Sequence, residues 1–327
     1  MREEEFREHY RERGFSDEDA DYAVTAVKEL EEHLGARGVP LESVSVDGVK
    51  EYISSLISEG RNSRDRLLAI ARYLYLAKKH DVYIYFTSIL GGRTVLPSIS
   101  ERLTEIAGED KRDAVFDGIE APPLGAPPEE FPAVTDRLMR RLESELDLET
   151  CRRVLAGNHH RIPLESFEKH RKWYEEAGSI DEYLVKVHEG AVAELEEYLK
   201  EGKVWYEQEI TPEVIEHVKG NQEVLSGVRE GDRIYMTKFP YAPGEYLREK
   251  DPQMKRYYMC HCPLARASIL MGEPQISPEW CYCSGGYGKM KFDVVFEQET
   301  EVEVLETAIG GDMRCRFVVK IPEGVSK

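Results

Sequence analysis

Two short cysteine pairs, Cys260-His261-Cys262 and Cys281-Tyr282-Cys283, stand ahead of a fifth cysteine at Cys315. Five of the six cysteines of the chain therefore fall between residues 260 and 315. A strand sends alternate side chains to one face, so Cys-x-Cys in an extended segment would aim both sulfurs the same way. Two such pairs brought together offer four thiolates, the complement of a closed structural zinc site. His261 or Cys315 could instead complete a three-ligand centre that keeps a position open for water, as catalytic zinc requires. Four cysteines could also hold an iron-sulfur cluster, although the spacing matches no recognised cluster motif. The expected metal ligands are thus Cys260, Cys262, Cys281, Cys283, Cys315 and His261, with zinc as the expected ion.

Metal-free chemistry competes for the same atoms. Ser284-Gly285-Gly286-Tyr287-Gly288 follows Cys283 and reads as a flexible run with exposed N–H groups, which would lower a nearby thiol pKa if it opened a helix. Cys283 would then be a nucleophile and His261 its base, an arrangement for acyl transfer or hydrolysis. Disulfides or buried free cysteines are the chemically silent alternative. Elsewhere, Gly157-Asn158-His159-His160-Arg161-Ile162-Pro163 could ligate a metal or carry a proton, or simply connect two helices. Trp280 and Tyr257-Tyr258 read as core packing, and Glu207 and Glu209 as solvated surface rather than as acid or base.

The elements that must position these residues divide the chain in three. Residues 1–107 read as successive helices. Ser16 with Asp19 caps a run whose Val24, Val27, Leu30 and Leu34 form one apolar stripe, a second helix fits Val46 to Ile57, and a third begins near Ser63. Val82-Tyr83-Ile84-Tyr85-Phe86 alternates like a strand but sits among helices, so a buried helix fits it at least as well. Glu120 to Pro132 is rich in proline and glycine, cannot continue a helix and marks a boundary, and helices resume in residues 108–202 beyond it. In residues 203–327 Thr211-Pro212 opens a helix, and Arg233–Phe239, Phe292–Phe296, Glu301–Leu305 and Arg314–Ile321 read as strands. The expected fold class is α+β: a mainly helical N-terminal two-thirds and a C-terminal antiparallel sheet with helices on one face.

Composition limits the partners. A net charge of -19 repels polyanions and counts against nucleic acid as a partner of the whole chain. No segment approaches a membrane span, so a soluble cytoplasmic protein is expected. The only asparagines are Asn62, Asn158 and Asn221, and Glu and Arg abound, as in thermophile proteins.

The helical start, from Tyr10-Arg11-Glu12-Arg13-Gly14-Phe15-Ser16 to Val46–Tyr52, resembles the core-binding helical domain of tyrosine recombinases. That likeness implies a DNA clamp, for which Arg61, Arg64, Arg66, Arg72, Lys78, Lys79 and Arg93 are the candidate patch. The C-terminal run through Gly311-Asp312, Cys315 and Phe317 resembles the end of the four-vinyl-reductase-type small-molecule-binding domains and of the L-2-amino-thiazoline-4-carboxylic acid hydrolases. This likeness implies a ligand pocket walled by the sheet. Cys-His-Cys-Pro, Trp-Cys-Tyr-Cys-Ser-Gly-Gly and Gly-Asn-His-His-Arg-Ile-Pro together are similar to an uncharacterised prokaryotic family. The expectation is a zinc-holding module that binds or senses a small molecule, with a cysteine or zinc hydrolase as the alternative and nucleic-acid binding through the first helices as the third; a homodimer is compatible with each.

Overall fold

A computed structural model describes residues 1–325. Contacts divide the chain into two compact units, one of residues 1–93 with 122–130, the other of residues 94–121 with Phe131 onward. No helix among the described residues is long and apolar enough to cross a membrane.

The first unit is helical because its starts are capped and its apolar spacing is 3.6. Ser16 accepts from the Asp19 amide at 3.1 Å while Asp19 takes the Ser16 amide at 3.0 Å, a reciprocal box that opens helix Asp17–Gly35. Ser45 and Ser63 cap helices Val46–Ser58 and Arg64–Leu76 by accepting from the Gly48 and Arg66 amides. Their buried faces meet around Phe6, Leu30, Ile53, Leu67 and Leu74. The 82–86 stretch lies inside helix His80–Leu90, burying Val82, Phe86 and Ile89. The proline-glycine loop is a strap rather than a free linker over residues 122–130. Asn62 Nδ2 donates to the Leu124 carbonyl at 2.8 Å, and a Cβ on Gly125, whose φ is +89°, would stand 2.7 Å from Ile53 Cγ2.

The second unit is α+β, as the sequence predicts. Its sheet has the strands β1 (Val228–Glu230), β2 (Arg233–Thr237), β3 (Val302–Glu306) and β4 (Arg316–Lys320), antiparallel in the order β1-β2-β4-β3. The register pairs Ile234 with Val319 and Met236 with Phe317, while Val302 and Val304 face the same two β4 residues. That apolar face covers a core with Tyr183, Leu184 and Val187 of helix Ile180–Glu201 and Phe292 of helix Tyr282–Val295. Phe292–Phe296, expected as a strand, forms the end of helix Tyr282–Val295 and the residue that caps it. Phe292, Val295 and Phe296 are buried at helical spacing, and burial on both sides of the helix overrides the alternation. β1 went unexpected because three residues, two of them charged, carry no readable period.

Candidate functional site

The cysteine pairs do not lie on strands. Cys260 caps the C-terminal end of helix Pro252–Met259, and Cys262 sits in the following turn, where its carbonyl accepts from Ala265 at 3.2 Å and from Arg266 at 2.9 Å. Cys281 closes a 3-10 turn and sits at the cap of helix Tyr282–Val295, with Cys283 in its first turn. The expected parallel projection of sulfurs from extended segments is thereby corrected: helix ends bring the pairs together instead. Proline drives this local choice, since Pro252 starts one helix and Pro278 the other turn. Cys315 precedes β4, and its sulfur accepts from the Ala308 amide at 3.4 Å. Asp312 holds the intervening turn by accepting from the Thr307 amide at 2.8 Å.

All six cysteines are free thiols. Cys260, Cys281, Cys283 and Cys315 are buried, and Cys262 is half-buried. Trp280 Nε1 donates to Cys262 Sγ at 3.2 Å, which ties the first pair to the residue beside the second. Burial pushes the Cys260 thiol up to about 12, helped by Cys262 and Cys315, and pushes Cys283 up to about 12, helped by Cys262. Cys281 is driven well above an ordinary thiol by burial and then by Cys315, Cys260 and Cys262, and Cys315 is raised chiefly by burial. Cys262 thus lies within electrostatic reach of the other four thiols and opposes the ionisation of each. The sixth, Cys151, lies in the same buried cluster as Trp280 and Cys283 and is pushed up to about 12 by burial.

A lysine faces this group. The Lys238 ammonium favours ionisation of Cys260, Cys281, Cys283 and Cys315. Strand pairing places it: β2 and β4 run in register to Thr237 and Arg316, and the Lys238 amide then donates to the Cys315 carbonyl at 2.9 Å. Its Nζ donates to Ser284 Oγ at 2.5 Å. Lys238 escaped sequence reasoning because only the register of two distant strands reveals it. Among the described residues, no three Cys, His, Asp or Glu side chains are already disposed to hold a metal ion.

His261 points its Nε2 to the Phe239 carbonyl at 2.7 Å and sets its ring edge-on to Tyr241 at 5.5 Å. Burial, with Lys238 nearby, keeps its pKa well below the ordinary histidine value, so the imidazole is neutral at pH 7. No hydrogen bond joins it to Cys283 among the described residues. The Ser284–Gly288 run forms the first turns of a largely buried helix rather than a flexible loop. Gly286 is needed there: a Cβ would stand 2.5 Å from the carbonyl carbon of Ala156 and 2.8 Å from the Gly157 oxygen. The Gly157–Pro163 loop therefore seats directly on the cysteine-bearing helix.

Within that loop the histidines are structural in geometry. His159 Nε2 lies 2.9 Å from the Val154 carbonyl and must carry the hydrogen, so Nδ1 accepts from Ser98 Oγ at 3.1 Å. His160 packs edge-on to Tyr287 at 5.7 Å. Burial drops both to a pKa of about 4. Trp280 is fully buried beside the thiols, Tyr257 is half-buried, and Glu207 is partly buried.

Residues 234–325, from β2 to the end of the described chain, match the model of a family of unknown function (DUF6144). No curated protein and no solved structure matches the chain. The matched span begins one residue into β2 and takes in Lys238 and the five clustered cysteines, so the likeness falls on the candidate site and not on the helical first unit.

Proposed function

We propose that the C-terminal region is a thiol centre that takes up a soft divalent cation, zinc above others, and that the loaded centre serves binding or sensing of a small molecule. The observation that carries this reading is the gathering of five unpaired thiols from three chain segments around Lys238. Metal-free, Cys260, Cys281, Cys283 and Cys315 are held neutral chiefly by burial, with neighbouring thiols adding to it. A divalent cation reverses that balance, since coordinated thiols deprotonate and four of them satisfy zinc. Binding would draw in helix ends and turns, which adjust more readily than paired strands. Cys260, Cys262, Cys281 and Cys283 are the leading ligands, with Cys315 the fifth candidate.

Hydrolysis by Cys283 and His261 has weaker support. Cys283 is a protonated thiol at neutral pH, and His261 has committed one nitrogen to a backbone carbonyl. A zinc titration of metal-free protein in weak buffer tests the proposal. The expected result is near-stoichiometric uptake with release of more than one proton, lost in a Cys260→Ser/Cys281→Ser variant. Uptake without proton release, or uptake unchanged in that variant, would contradict it.

A further inference from the structure

Arg266 is a buried cation without a counter-ion. It follows Cys262 by four residues, and its amide is tied to the Cys262 carbonyl at 2.9 Å, so its position is fixed by the same turn that places the thiol. The residue is 9% exposed. Its guanidinium lies over the Tyr241 ring at 3.8 Å and the Tyr257 ring at 4.8 Å. No Asp or Glu among the described residues forms an ion pair with it; its side chain interacts with Tyr241, and its Nη1 is buried with no hydrogen-bond partner. Ring faces offset part of the cost of burying a guanidinium, but they accept nothing from an N–H in the guanidinium plane. An unmet charged donor out of water costs more than a neutral one, and buried polar groups are rarely left so.

We propose that Arg266 is the anchor for the carboxylate of a small-molecule ligand, bound between Tyr241 and Tyr257 beside the thiol cluster. One guanidinium matches one monoanion, and its planar fork matches the two oxygens of a carboxylate. Tyr257 is half-exposed while Tyr241 is buried, so the ligand enters by displacing Tyr257. Arg266 also lies within electrostatic reach of Cys260, which puts the carboxylate end of the ligand next to the first thiol. This goes beyond the metal reading and does not depend on it.

The test is a titration of metal-stripped, full-length protein with acetate, acetamide and inorganic phosphate, read on the guanidinium nitrogen resonances of Arg266. Assignment comes from an Arg266→Lys variant, which keeps the charge between the rings. Acetate should shift those resonances saturably, isosteric acetamide should not, and Arg266→Lys should weaken acetate at least tenfold. Equal responses to acetate and acetamide, no response to either, or unchanged affinity in Arg266→Lys would overturn the proposal and leave the residue a cation–π clamp. Tighter binding of phosphate than of acetate would overturn the carboxylate assignment. Because no metal is present, either failure is separable from failure of the zinc reading.

Discussion

Replacing Gly286 with alanine puts one methyl group where the backbone of Ala156 and Gly157 already lies. The new carbon would sit 2.5 Å from the Ala156 carbonyl carbon, 2.7 Å from its oxygen and 2.8 Å from the Gly157 oxygen. Ordinary contact begins at 3.4 Å, so helix Tyr282–Val295 and the Gly157–Pro163 loop must part by about 1 Å. Overpacking of this kind costs about 1–3 kcal/mol, and backbone cannot swing aside as a side chain can. Gly288, two residues on in the same helix, meets only Met236 Cε at 3.5 Å. Alanine there should gain about 0.5–1 kcal/mol from helix propensity. The two variants carry the same chemical change and the same propensity gain, so they should differ by the overpacking cost, about 1–3 kcal/mol in urea unfolding with equal m-values, or by several degrees in Tm. A Gly286→Ala protein as stable as Gly288→Ala would refute the claim that this glycine is required by the docking of the histidine loop on the cysteine-bearing helix.

Two other outcomes follow from burial. His159 should stay neutral to well below pH 5, since its folded pKa is about 4 against an ordinary 6.5. The unfolded chain binds more protons across that window, so stability is complete above about pH 6.5 and falls as pH drops toward 4, by up to roughly 3 kcal/mol for this residue. Imidazole resonances followed with pH would show it, and a His159 titration near 6.5 would contradict it. The buried thiols should react slowly with a maleimide at pH 7 in metal-free folded protein, the half-buried Cys262 first. Fast labelling of Cys283 would restore the nucleophile reading.

The sequence exposed features that depend on near neighbours. Ser16 with Asp19 and Ser63 announced their helices because caps act within three residues. Three of the four expected strands are present, and they pair with one another through β4. Helix Tyr282–Val295 was hidden because it is buried nearly all round: Gly286 faces other backbone, Gly285 and Gly288 face side chains, and its apolar residues show no single stripe. The cysteine pairs were found as residues but misjudged as strands, because Cys-x-Cys fits a strand on paper and only the prolines before each pair argue otherwise. Lys238 and Arg266 gain their meaning from contacts with residues distant in sequence, Cys315 for one and Tyr241 for the other, and no local pattern marks them.

The sulfur shell of bound zinc bears most directly on the thiol centre. X-ray absorption at the zinc edge of the loaded protein should show mainly sulfur neighbours at roughly 2.3 Å. A shell made only of oxygen and nitrogen would contradict the account, because the five thiols would then have no part in holding the metal.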